Sequence, residues 1–392
     1  MKTKLEQFGQ KFIYIILAIW LSTEVLFNSN IQHFFIWEKS VANDFMNILV
    51  LVLLILQVVV FQKYTFKEMV LIFAISLPII LATLNSNSKT MMSTWIFIIA
   101  VKYIDLDKTI KISYIVQGLM TLLVIYMYYA VIIEETVTYR GSLLRHSLGF
   151  IHPNQLGVRV FLLIICHCYL RRNRIGILEY IIVSLGAWVV KRVADSKTAF
   201  YALVILLVLL LVYGIAKRFD NGKEIFSNSM IMIFFAANII SISLSVFNIM
   251  SNDLLKKIDI YMSRRFSQCH RTYQYYGLSI FGKDIQLLVK RNIVSPIYHF
   301  WLDNAYMAIL LRYGIVVFFI FMGLYLSTMI YLRETGECKL LMIPALYSIY
   351  GIMENNFFSM SQNFFLILLS YSIYRSNVGL ALRSRKKIKF TW

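Results

Sequence analysis

What most constrains this chain is a succession of apolar segments that leaves little sequence for a water-facing surface. Stretches near 12–28, 45–61, 68–84, 90–104, 112–133, 154–170, 175–190, 198–216, 228–248, 303–331, 340–355 and 361–374 are dominated by aliphatic and aromatic residues. A bilayer core about 30 Å thick is crossed by roughly 20 helical residues, fewer where flanking polar groups reach the interface. The pattern predicts an all-α polytopic membrane protein with about twelve transmembrane helices. The runs at 90–104 and 175–190 are short, and without them the count falls to about ten or eleven. Composition agrees: 59% of the residues are hydrophobic, 15% are charged and the mean hydropathy is +0.69. A soluble domain carries about 25% charged residues. The first run, Phe12 to Phe27, follows Lys2, Lys4 and Lys11 as a signal peptide would. No small-residue cleavage site follows it and further spans do, so it reads as a retained helix.

The net charge of +19 would point to nucleic acid in a soluble protein. Here it is assigned to topology and to anionic membrane lipids, with no nucleic-acid partner. Placing both termini in the cytoplasm puts 22 of the 39 lysines and arginines on that side and seven on the short outer loops. That asymmetry fits the positive-inside rule and a multi-pass protein of a cell membrane. The chain then divides into residues 1–250 with helices one to nine, 251–302 as a large extracellular loop, and 303–392 with helices ten to twelve and a basic cytoplasmic tail. The loop carries eight cations, among them Arg264, Arg265 and Arg271, on the side where cations are normally scarce. An anion-binding role is the expectation there. Its bland alternative is a lipid-adhering amphipathic segment, since Leu254-Leu255-Lys256-Lys257-Ile258 can lie flat on a surface.

Three outer segments are richer in polar groups than topology requires. The first runs from Arg140 through Arg145, His146, His152, Pro153, Asn154 and Gln155 to Arg159. Pro153 suits the first turn of a helix, where its missing N–H costs nothing. Arg159 then sits about 8 Å below Asn154 inside the span. An arginine at that depth needs a polar cavity or a partner, unless it snorkels to the outer headgroups. The second segment, Lys191-Arg192-Val-Ala-Asp195-Ser196-Lys197-Thr198, reads by itself as a solvated hairpin with an Asp–Lys pair. The third leads from Pro296 and His299 to Asp303, Asn304, Tyr306 and Arg312. Pro296 should break the loop before span ten. Asp303 and Arg312 are nine residues apart, so on an ideal helix they face opposite ways. Both can line one cavity only if span ten is irregular or the cavity wraps it.

Arginine's planar fork matches phosphate oxygens, while tyrosine and tryptophan rings stack on sugars or anchor at headgroups. A lipid-linked sugar pyrophosphate needs both. No outer carboxylate cluster has metal-ligand spacing, so a metal-free mechanism without cofactor is preferred. The cysteines Cys166, Cys168, Cys269 and Cys338 are scattered and imply no disulfide framework. Cys166 and Cys168 flank His167 at a spacing that puts them on opposite helix faces, which favours packing over a metal site.

These segments resemble the Wzy-type polysaccharide polymerases of capsule and exopolysaccharide assembly, within the O-antigen polymerase and ligase superfamily. Gly149-Phe-Ile-His152-Pro-Asn154 is similar to the Gly-Phe-x-His-Pro-Asn stretch of Gram-positive members. Asp195-Ser-Lys197-Thr resembles their Ser-Arg-Thr element with lysine for arginine. Ser263-Arg264-Arg265 followed by Leu278-Ser-Ile-Phe281-Gly282 is similar to their Ser-Gly-Arg…Leu-Phe-Gly pattern, and Asp303-Asn304-Ala-Tyr306…Arg312-Tyr-Gly314 to the element after the large loop. The resemblance implies a GT-C-like transferase on the outer face of the bacterial cytoplasmic membrane. It would move a growing glycan from undecaprenyl pyrophosphate to a second lipid-linked repeat unit. Arg145, His152, Asn154, Arg159, Lys197, Arg264, Arg265, Asn304, Tyr306 and Arg312 would hold pyrophosphate or sugar. The related ligases have a histidine directly before the asparagine; Asp303 stands there in this chain. The base is then Asp303, with His299 competing. A chain-length regulator and a flippase of the same pathway are the implied protein partners. The alternatives are a ligase delivering glycan to another acceptor, and a lipid-linked oligosaccharide flippase. A flippase would show charged groups scattered through many spans and two pseudo-repeated halves, and this chain shows neither.

Overall fold

The computed structural model describes residues 4–31, 39–102, 104–287 and 300–374. Along the chain come α1 (Lys4–Phe27), α2 (Lys39–Val60), α3 (Phe66–Ser86), α4 (Thr90–Ala100), α5 (Leu106–Tyr129), a hairpin of β1 (Thr138–Arg140) and β2 (Leu143–Arg145), and α6 (Pro153–Leu170). There follow α7 (Ile177–Val189), α8 (Lys197–Ala216), α9 (Gly222–Val246), α10 (Asp253–Tyr261), α11 (Arg265–Tyr276), α12 (Ala305–Ala308), α13 (Gly314–Glu334), α14 (Cys338–Met353) and α15 (Ser370–Ile373). The protein is an all-α polytopic membrane protein. Among the described residues, eight helices are long and apolar enough to cross a membrane. The remaining expected segments are helical but shorter: Thr90–Ala100, Cys338–Met353, Phe364–Ile373 and Ile177–Val189. Large apolar side chains on α2 and α3 point outward, including Val59, Phe66, Phe73 and Leu84 at 72–77% exposure. Such a surface suits hydrocarbon and not water.

Local chemistry sets the helix starts. Thr65 Oγ1 accepts from the Glu68 N–H at 3.3 Å, and Glu68 Oε2 accepts from the Thr65 N–H at 2.7 Å. This reciprocal capping box opens α3. Asp105 accepts from the Lys108 N–H at 3.1 Å and opens α5. Pro153 occupies the first turn of α6, as the sequence predicts. Pro296 and His299 lie outside the described residues.

The chain forms two compact units, Met1–Lys63 with Ile99–Arg218, and Tyr64–Ile98 with Phe219–Trp392. The first unit has a core of Val25, Val124, Ile133, Phe150, Leu156 and Ala194. Gly186 lets α7 approach Ile164 of α6, and Gly157 lets α6 approach Ser196, where an added Cβ would stand 2.6 Å from the serine Cβ. In the second unit the expected large loop is partly helical. Asn252 caps α10 by accepting from the Leu254 and Leu255 N–H groups. Ser263 and Arg264 then adopt left-handed conformations, with φ of 63° and 60°. Asp259, 1% exposed, holds this turn. Its carboxylate accepts from the Phe266 and Ser267 N–H groups at 2.9 and 3.3 Å, and its carbonyl accepts from the Arg264 N–H at 2.7 Å.

Span ten is irregular. A π-helical turn, Ile309–Tyr313, separates α12 from α13, and Gly314 has φ 90°. Residues 278–283 lie against this break. Ser279 and Ile280 carbonyls accept from the Ile315 and Val316 N–H groups at 2.9 and 3.2 Å, and the Arg312 carbonyl accepts from the Lys283 N–H at 3.2 Å. The contact requires glycine on both sides, since a Cβ on Gly282 would strike the Arg312 carbonyl and one on Gly314 would strike the Gly282 amide.

Candidate functional site

Two polar constellations gather the residues expected from sequence, one in each unit. In the first unit the hub is Arg145, 5% exposed at the end of β2. Its Nε donates to the Ala194 carbonyl at 2.9 Å and its Nη2 to Asn154 Oδ1 at 2.6 Å. One guanidinium thus ties the start of α6 to the corner before α8. Burial first, then the neighbouring Arg140 charge, lowers the Arg145 pKa to about 10, which leaves the group charged near neutrality.

Asp195, 3% exposed, forms the other half of this corner. It sits in the left-handed region at φ 39° after a π-helical turn, Val190–Ala194. Its carboxylate accepts from Arg140 at 2.7 Å and from Lys191 at 2.5 Å. Burial alone would raise the Asp195 pKa, but the Lys191 and Arg140 contacts outweigh it and hold the carboxyl below its ordinary value. The solvated hairpin expected here is therefore corrected to a buried, ion-paired turn. Lys197 stands half-buried in the first turn of α8. Asp195 thus pairs with both Arg140 and Lys191, and Arg145 stands within reach of the Arg140 and Asp195 charges.

His152 does not serve as a cation. Its Nδ1 accepts from the Asn154 N–H at 3.0 Å, capping α6. That acceptor role places the hydrogen of a neutral ring on Nε2. Burial, followed by the charges of Arg145 and Arg140, lowers its pKa and favours that neutral form. Glu135 secures the preceding turn by accepting from His146 Nδ1 at 2.8 Å and from the Ser147 and Leu148 N–H groups at 3.2 and 3.3 Å. Burial pushes the Glu135 carboxyl up, yet these donors together hold it below its ordinary value.

Arg159 is 0% exposed. It donates to Gln117 Oε1 at 3.1 Å and to the Glu24 carbonyl at 3.4 Å, and Gln117 in turn donates to Ser113 at 2.7 Å. The partner that its depth demanded is thus in α5 and α1. In this conformation Arg159 presents no surface to a ligand and ties three helices together. Its Nε is buried without a hydrogen-bond partner.

In the second unit Arg265 is the hub. Its Nη2 donates to Glu354 at 3.0 Å, with both side chains 12% exposed, and its Nη1 is buried without a hydrogen-bond partner. Burial alone would lower the Arg265 pKa. The Glu354 and Asp303 carboxylates reverse the sign, so Arg265 is held firmly protonated between two acids. Asp303 is half-buried just before α12. Asn304, 0% exposed, caps α12 through the Met307 N–H at 3.1 Å and donates to Ser241 at 2.6 Å. Tyr306 is also 0% exposed; it donates to the Ser348 carbonyl at 2.7 Å and packs on Phe357. Asn304 and Tyr306 shape the site from behind and offer no surface to a substrate in this conformation. Arg312 is half-buried on the π-helical turn with its Nε unpartnered. Arg264 is exposed at the start of α11. Cys269, 0% exposed, has its thiol pushed up by burial and by Asp303, which makes it an inert neighbour.

Glu354 is the residue that motif reasoning misses. The signal was present: it is the one acid between Cys338 and Tyr374, and a lone carboxylate in an apolar stretch demands a partner. Among the described residues no group of three or more His, Cys, Asp or Glu side chains is placed to hold a metal ion. Comparison with family models, with curated proteins and with solved structures finds no match.

Proposed function

We propose that this protein is a GT-C-type polysaccharide polymerase joining undecaprenyl-pyrophosphate-linked repeat units on the outer face of the bacterial cytoplasmic membrane. The supporting observation is that elements quoted separately for the family resemblance meet in space. The Asp195-Ser-Lys197 corner joins the His152-Pro-Asn154 element through Arg145. The Leu278–Gly282 stretch packs on Arg312–Gly314. These pairings support reading the separate elements as parts of one family pattern.

In this reading the chain crosses the membrane twelve times, with both termini cytoplasmic and residues 251–302 outside. An acceptor sugar hydroxyl attacks the anomeric carbon of the donor glycan. The bond from that carbon to the pyrophosphate oxygen breaks, undecaprenyl pyrophosphate leaves with the bonding electrons, and the hydroxyl proton passes to Asp303. Arg265, charged and oriented by Glu354, offsets the charge developing on the leaving group. Membrane lipids surround the spans, and a flippase and chain-length regulator act in the same pathway.

Purified protein supplied with undecaprenyl-pyrophosphate repeat units tests the proposal. A ladder of lipid-linked polymer is expected. Glycan appearing only on a different acceptor would replace this reading with a ligase, and no transfer at all would remove it.

A further inference from the structure

A groove opens in the second unit between the end of α9 and the first half of α11. Asn248 and Met250 line one wall and Arg264, Gln268, His270 and Arg271 the other, around about 400 Å³. Arg264, Gln268 and Arg271 are four and three residues apart, so they form one stripe along α11. The Arg271 guanidinium lies over the Phe300 ring, 5.9 Å from its centre, and His270 Nδ1 donates to the Ser245 carbonyl at 3.2 Å. The wall is therefore built, with its polar groups set by neighbours.

The chain on either side of the groove's Met250 exposes further apolar side chains. Phe247 and Leu254 are each 68% exposed, Met250 47% and Tyr261 55%. Leu254, Ile258 and Tyr261 fall on one face of α10 at helical spacing, with the exposed Lys256 and Lys257 on the same short helix. These apolar side chains begin directly after Val246, where the membrane-spanning helix α9 ends. Exposed apolar side chains at that level belong in the interfacial layer, where their burial is favourable.

We propose that this groove seats an anionic phospholipid, with its phosphate on Arg264 and Arg271 and its acyl chains over Met250 and Leu254. Apolar side chains and a cationic stripe at one groove match a phosphate headgroup joined to hydrocarbon, and neither alone would choose that ligand. The groove excludes Arg265, Asp303 and Glu354, the reacting groups of the proposed function, and gives Arg264, which the resemblance would place on pyrophosphate, to lipid phosphate instead.

The test uses the full chain in nanodiscs of four parts phosphatidylcholine to one part phosphatidylglycerol, with a trace of headgroup-photoactivatable phosphatidylglycerol. Labelling mapped by mass spectrometry should concentrate in residues 247–271. It should fall by about thirtyfold in Arg264→Gln/Arg271→Gln, the scale for two surface cations at an anionic membrane. Labelling of α2 and α3 should not change, which controls for folding. Met250→Ser/Leu254→Ser should weaken the same labelling with the cations kept. Equal labelling by a photoactivatable phosphatidylcholine, or undiminished labelling in the arginine variant, overturns the proposal. So does displacement of the label by polyprenyl pyrophosphate at trace concentration, which would give the groove to the substrate.

Discussion

Arg145 joins the Ala194 carbonyl to Asn154 Oδ1, so its loss is more than the loss of a charge. Arg145→Ala leaves the Ala194 carbonyl and Asn154 Oδ1 without their donor and should cost about 1–3 kcal/mol. Thermal unfolding in detergent should show that loss, with Arg145→Lys in between because lysine lacks the fork. His152 makes a pH prediction. Its folded pKa is lowered, so its contribution is complete above the ordinary value of about 6.5 and is lost as pH falls through the lowered one. His152→Asn keeps a cap but does not titrate. It should flatten the decline in melting temperature on acidification over that range, and an unchanged slope would show that the neutral cap is unimportant. At this scale the sequence displayed the residues but not their roles. Arg145, His152 and Asn154 stood out as polar groups near a membrane, but only the fold separates a cap from a cation and an exposed arginine from Arg159 locked on Gln117.

At the scale of elements, span ten is broken by a π-helical turn against which residues 278–283 pack. The contact between residues 278–283 and the π-helical turn leaves no room for a side chain at Gly282. Gly282→Ala should destabilise by at least about 2 kcal/mol through overpacking and a left-handed φ. Increased proteolysis within residues 251–287 in otherwise intact protein would register it. Asp259→Ala should release the turn between α10 and α11, costing about 1 kcal/mol as lost helix caps do, with loop proteolysis again the readout. Helix positions were legible because apolar runs and caps such as Thr65 and Pro153 are local signals. The π-helical turns were not, since ideal-helix geometry puts Asp303 and Arg312 on opposite faces and nothing local announces the extra residue in the turn. The buried Asp195 was also hidden, because its partner Arg140 lies 55 residues away.

Across the whole molecule, the apolar runs fix an all-helical membrane protein, while the two compact units each interleave distant parts of the chain. Hydropathy cannot reveal that interleaving, since it depends on which helices pack and not on which are apolar. The proposed polymerase activity belongs to this scale, and so does the part played by Glu354. Glu354→Gln keeps the shape but removes the charge that orients Arg265. It should cut polymer formation by about tenfold or more, as loss of a charge-assisted contact does, and normal activity would free Glu354 of that role. The most direct measurement is the initial rate at which the purified protein joins two undecaprenyl-pyrophosphate-linked repeat units, wild type against Asp303→Asn, with equal melting temperatures. A fall of about 100-fold or more is predicted, the scale of a lost general base, whereas an undiminished rate would contradict the assignment of Asp303 as the base.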